Sequence, residues 1–86
     1  MNWIGIDAHK SSATIAVMDD NGNVIEMYKV NNDLQAWTTF YLKYSGNATV
    51  AIESSTAGKH IARLLRDFGM DIHIANPNKL NLIFKS

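Results

Sequence analysis

Two short apolar runs, each ending in a carboxylate, set the strongest limit on how this chain folds. The first is Trp3-Ile4-Gly5-Ile6-Asp7, followed closely by the polar stretch His9-Lys10-Ser11-Ser12. The two-residue period of a strand puts Ile4 and Ile6 on one face and Trp3, Gly5 and Asp7 on the other. The second run, Ala48-Thr49-Val50-Ala51-Ile52-Glu53, has the same form. One Asp at a strand end is ordinarily a turn residue. Two buried strands that both finish in an acid, within one small domain, point instead to a shared edge.

The 86 residues suffice for one small domain and not for two. At 47% hydrophobic and 19% charged the chain is globular in composition, with no disordered or collagen-like bias. A core of this size is marginal, so a partner or a further portion of chain would help to hold it. The absence of cysteine excludes a disulfide framework and thiolate zinc sites. No charged-then-apolar leader opens the sequence and no apolar run reaches the length of a membrane span. The expectation is a soluble cytoplasmic protein with no membrane partner. On that view the sequon Asn47-Ala48-Thr49 arises by chance.

The formal net charge is zero, but the charge is unevenly spread. Up to Thr56 the acids are Asp7, Asp19, Asp20, Glu26, Asp33 and Glu53, against Lys10, Lys29 and Lys43. From Ala57 onward Lys59, Arg63, Arg66, Lys79 and Lys85 stand against Asp67 and Asp71. An acidic part beside a basic part suits a metal ion next to a phosphate backbone. Ordinary solvated faces would give the same counts.

Between the two acid-ended runs, Ala13 to Met18 reads as a β-branched strand and Asp19-Asp20-Asn21-Gly22-Asn23 as a turn. Val24 to Val30, mixed in polarity, reads as an outer strand. Asn31-Asn32-Asp33 then supplies a helix N-cap. Leu34, Trp37, Tyr41 and Tyr44, widened by Phe40, recur at helical spacing as a core stripe, and Ser45-Gly46 closes the helix. After Glu53, Ser54-Ser55-Thr56 caps a second helix with Ile61, Leu64, Leu65 and Phe68 on its apolar face, ended by Gly69. Met70 to Ala75 alternates as a fifth strand, and Asn76-Pro77 opens a third helix carrying Leu80, Ile83 and Phe84.

The resulting order, β-β-β-α-β-α-β-α, predicts an antiparallel meander and then right-handed crossovers. That is a five-stranded mixed sheet flanked by helices. The ribonuclease H-like fold, with strand order 3-2-1-4-5, is the expected solution. In it the first and fourth strands are parallel neighbours, so Asp7 and Glu53 would stand roughly 5 Å apart in backbone position. Carboxylates that close repel unless a cation lies between them. Hard oxygen ligands on an open edge suit Mg²⁺ or Mn²⁺, which keep waters and accept phosphate oxygens.

These segments carry a resemblance. Gly5-Ile6-Asp7-Ala8-His9-Lys10 followed by a meander resembles the opening of the IS110-type transposases and their relatives, the Piv-type DNA invertases. Val50-Ala51-Ile52-Glu53-Ser54-Ser55-Thr56-Ala57-Gly58 resembles the family's second motif, and Ile74-Ala75-Asn76-Pro77 the Asn-Pro that ends its fifth strand. Order and spacing agree over essentially the whole chain. The resemblance implies a partial RuvC-like domain from the N-terminal part of a DNA transposase. It implies an Asp-Glu-Asp-Asp tetrad in which Asp7 is the first acid and Glu53 the second, together holding Mg²⁺ or Mn²⁺. The other two acids would fall beyond Ser86, so these residues hold half a site and would not cut DNA alone. The resemblance further implies DNA as partner, homo-oligomeric assembly and, for some members, a structured guide RNA.

His9 and Lys10, in the first motif, are suited either to contact a scissile phosphate or to open a polar turn. Ser54, Ser55 and Thr56 read as caps; His60 and His73 as a surface and a strand residue. Lys59, Arg63 and Arg66 are candidate DNA contacts. Two other classes fit the same order. An actin-like or sugar-kinase-like ATPase lobe shares the topology, but its phosphate loop normally uses Gly, which Ala8-His9-Lys10 lacks. A non-catalytic remnant that only pairs with a partner would also need no complete tetrad.

Overall fold

Apart from the largely exposed strand Val24–Asn31, the elements form where the sequence supplies an apolar repeat. The computed structural model describes residues 1–76. In chain order these are β1 (Asn2–Ala8), β2 (Ser12–Met18), β3 (Val24–Asn31), α1 (Leu34–Tyr44), β4 (Ala48–Glu53), α2 (Thr56–Asp67) and β5 (Ile72–Ala75). The third helix expected after Asn76-Pro77 lies outside the described residues.

The five strands make one mixed sheet in the order β3-β2-β1-β4-β5. β1 is antiparallel to β2 and parallel to β4, with Ile4 opposite both Val17 and Val50, and Ile6 opposite both Ile15 and Ile52. Ile4, Ile6, Ile15, Val50 and Ile52 therefore share one face, and all are buried. Trp37, Phe40 and Tyr44 of α1 join them in a single core with Ile61, Ala62 and Leu65 of α2. Both helices thus cover the same side of the sheet. Within α1, Trp37 meets Phe40 edge-on at 5.7 Å between ring centroids, and Phe40 meets Tyr44 at 4.9 Å.

Asp33 caps α1 by accepting the Ala36 amide at 2.8 Å, and Ser55 caps α2 by accepting that of Gly58 at 2.9 Å. Gly46 and Gly69 come after the two helices with φ of 82° and 100°, the left-handed backbone that glycine adopts without a Cβ penalty. Leu34 departs from the expected core stripe: it is 62% exposed. It is the first residue of α1, and the buried stripe begins only at Trp37. β5 is also shorter than the alternation suggests, starting at Ile72; His73 is exposed on this edge strand, and Ile74 is 39% exposed.

Two polar clusters close the β3 side. The Tyr44 hydroxyl lies 3.2 Å from that of Tyr28 and donates to Glu26 at 3.3 Å, while the Lys43 ammonium sits over both rings. Desolvation raises both phenols, so this contact is one between neutral hydroxyls at physiological pH. In the β2–β3 turn, Asp19 accepts the amides of Asn21 at 2.9 Å and Asn23 at 3.0 Å. The Asn23 amide, with Asn21 adding to it, holds the carboxyl below its ordinary 3.8. A carboxylate depressed in the folded state stabilises the fold above its ordinary value, and that contribution disappears as pH falls through the folded-state value. Asp19→Asn is therefore expected to be less stable than wild type at neutral pH. The difference should vanish by about pH 2, as read by urea denaturation at both pH values.

Candidate functional site

Parallel pairing of β1 with β4 fixes the candidate site. The last paired residues are Ile6 and Ile52, and the next in line on each strand are Asp7 and Glu53. By parity both leave the face opposite the helices, at the carboxyl ends of adjacent strands. The same row continues outward through the other ladders: Thr14 pairs with Asp7 on one side, and Ala75 pairs with Glu53 on the other. Asp7 and Glu53 are each partly buried. The Ser54 amide donates to the Ala75 carbonyl at 3.0 Å, so the exit from β4 is tied to that of β5 and brings Asn76 to the same edge.

The connections leaving the two strands shape this edge. After β1 the chain turns through His9-Lys10-Ser11, and the His9 imidazole comes back to 3.3 Å from the Asp7 carboxylate. Lys10 stands exposed in that turn. After β4 the chain enters α2 at once, and Gly58 lies against the Glu53 carbonyl, where no Cβ would fit. The start of α2 therefore fixes the backbone that carries Glu53.

Asp7, His9 and Glu53 thus stand at one edge. Lys59 and Arg63 do not join them. They line a separate groove of about 430 Å³ between α2 and β5, together with Ala62, Arg66, Asp67 and Ile74. Arg66 is partly committed to structure, because it donates to the Ile72 carbonyl at 2.7 Å. His60 is a surface residue, and His73 pairs with Asp71 at 3.3 Å at the start of β5, the opposite end of that strand from Ala75. Among the described residues no three His, Asp or Glu side chains converge as a metal cage. The edge offers two carboxylates of the hard-oxygen kind, short of a complete ligand set.

Sequence reasoning misses one contributor to this edge. Every residue of the triplet Asn31-Asn32-Asp33 suits a helix cap, yet only Asp33 caps; the Asn32 side chain instead reaches the carbonyls of His9 and Lys10. The contact spans more than twenty positions, and no local signal announces it.

Comparison with known proteins bears on this layout in two steps. The fold is similar to that of the Lmo2764 protein of Listeria monocytogenes, described as an N-acetylmannosamine kinase, with a TM-score of 0.58 and 16% identity over 88% of this chain. It is also similar to a Ppx/GppA family member of Aquifex aeolicus, with a TM-score of 0.51 and 13% identity over 92% of this chain. At such identities the likeness concerns the fold alone. The chain spans about a third of each of these proteins, 35% and 36% of their lengths. The sequence then assigns the family: residues 4–85 match the IS110-type DEDD transposases, and the chain belongs to that transposase family. No curated protein sequence matches it. Among the described residues, no helix is long and apolar enough to cross a membrane.

Proposed function

We propose that this chain is part of a ribonuclease H-like, RuvC-like catalytic domain of a DNA transposase, and that Asp7 and Glu53 are two of its metal-binding carboxylates. The observation that carries this reading is the β1–β4 register, which sets both acids at one edge on one face. Family membership over nearly the whole chain supports it. The donor set fits Mg²⁺ or Mn²⁺, hard cations that accept carboxylate oxygens and retain waters. When bound, such a cation supplies Lewis-acid stabilisation of charge on a phosphodiester. The chain's own part is to hold the two carboxylates side by side on neighbouring strands. The His9-Lys10 turn then offers cationic and hydrogen-bonding groups toward a DNA phosphate. Lys59 and Arg63, in their separate groove, would contact the phosphate backbone away from the acids. For the whole protein the reading extends to DNA cleavage and rejoining, to homo-oligomeric assembly and to a structured guide RNA of the kind some family members use.

The fold neighbour described as a kinase does not favour a nucleotide-binding reading. The turn after Asp7 has no glycine, and its His9 amide is already spent on the Ser12 carbonyl at 2.8 Å.

Calorimetric titration with Mn²⁺ tests the proposal. Wild type is expected to bind, and Asp7→Ala and Glu53→Ala are each expected to weaken binding about tenfold or more, a loss of about 1.4 kcal/mol. Binding that is indifferent to both substitutions would remove the two acids from the ligand set.

A further inference from the structure

The turn between β1 and β2 has one closing backbone bond of its own, from the His9 N–H to the Ser12 carbonyl at 2.8 Å. Three-residue hairpin loops ordinarily close through a residue in the left-handed region, yet none of His9, Lys10 and Ser11 has a positive φ. The other groups that hold the turn come from just beyond the far end of β3. The Asn32 amide nitrogen donates to the carbonyls of His9 at 3.0 Å and Lys10 at 3.3 Å, and the Asn32 backbone N–H donates to that of Ser11 at 3.0 Å. Three consecutive carbonyls of the turn are thereby satisfied by one residue.

Asn32 is itself oriented from the core. The Trp37 indole N–H donates to its Oδ1 at 2.9 Å, and Trp37 is 1% exposed. An indole N–H can only donate, so the Asn32 amide must present oxygen to Trp37 and nitrogen to the turn. A buried ring on α1 thus sets which way the amide points, and the amide sets the path of the turn that carries His9 to within 3.3 Å of Asp7.

We propose that Asn32 is a positioning residue for the acid edge: it fixes the His9–Ser11 turn so that the His9 imidazole stays on the Asp7 carboxylate. The inference rests on reading the Asp7 edge as the working edge. It predicts a role for side-chain chemistry and not merely for side-chain volume. Asp at this position has nearly the same size and still offers an oxygen to the indole, but it has no donor for the two carbonyls.

The test is NMR on the cation-free chain, comparing wild type with Asn32→Asp. The expected result is loss of the contact between the His9 ring protons and the Asp7 β-protons. Hydrogen exchange of the His9 amide should also rise about tenfold or more, with the amides of α2 unchanged. A His9–Asp7 contact and a His9 amide that behave as in wild type would overturn the proposal. Should Asn32→Asp fail to fold, Trp37→Phe provides the second reading. It removes the indole donor and frees the amide to rotate, so the same His9 signals should change in the same direction, and unchanged signals would again overturn the proposal. Because no cation is present in either comparison, failure of Mn²⁺ binding would count against the proposed function and leave this inference standing.

Discussion

Trp37→Ala is expected to lower the stability of the chain by about 3–5 kcal/mol, as measured by urea denaturation followed by circular dichroism. A small domain has a total of about 5–15 kcal/mol, so this one change should remove a large fraction of it. Two losses add. The first is the cavity left by the largest buried side chain, which packs edge-on against Phe40 and is 1% exposed. The second is the hydrogen bond to Asn32 at 2.9 Å, whose loss strands the amide that holds the turn after β1. Trp37→Phe separates the two in part, since it keeps an aromatic ring in the core but loses the donor and some buried ring volume; its expected cost is about 1–3 kcal/mol. Equal losses from the two variants would mean that the indole N–H, and not the ring, dominates.

Gly58→Ala is the second large effect, and its sign runs against helix propensity. In an exposed helix interior this substitution gains about 1 kcal/mol. Here an added Cβ would run into the Glu53 carbonyl oxygen, approach Ile52 Cγ2 at 2.9 Å and meet Ser55 Oγ at 3.1 Å. Two of these three neighbours belong to β4 itself, and the third is the cap of α2. The backbone that carries Glu53 must therefore shift for the variant to fold. A net loss of about 1–3 kcal/mol is expected by denaturation. Mn²⁺ affinity should fall with it, because the carboxylate moves away from Asp7. A variant as stable as wild type that binds Mn²⁺ equally well would show that the close approach at Gly58 does not govern the edge.

The elements are legible in the sequence because local chemistry marks them. Alternation gives β1, β2 and β4; Asp33 and Ser55 give the helix starts; Gly46 and Gly69 give the stops. The strand order comes from the order of elements, because a meander followed by right-handed crossovers leaves few other arrangements. Asp7 and Glu53 are legible for the same reason, as the ends of strands that this topology makes neighbours. The misreadings share a cause. Leu34 matches the apolar period of α1 but sits at its first residue, where the helix has not yet reached the sheet, and periodicity carries no information about where packing begins. Asn32 is hidden because three adjacent polar residues all suit a cap, and only the three-dimensional approach of β3 to the turn after β1 separates their roles. Lys59 and Arg63 are legible as a basic pair on α2, but their distance from the acid edge depends on which side of the helix faces β5.

The central claim is that Asp7 and Glu53 act together at one edge, and paramagnetic broadening by Mn²⁺ tests it most directly. Substoichiometric Mn²⁺ added to the isotopically labelled chain should broaden the amide signals of Asp7, Ala8, His9, Glu53 and Ser54 first. Asp19 and Asp20, in the β2–β3 turn, and Asp71 beside His73, at the start of β5, are the internal controls, since they lie away from the edge that carries Asp7 and Glu53. Broadening centred on those controls, or spread evenly over all of the acids, would contradict the account.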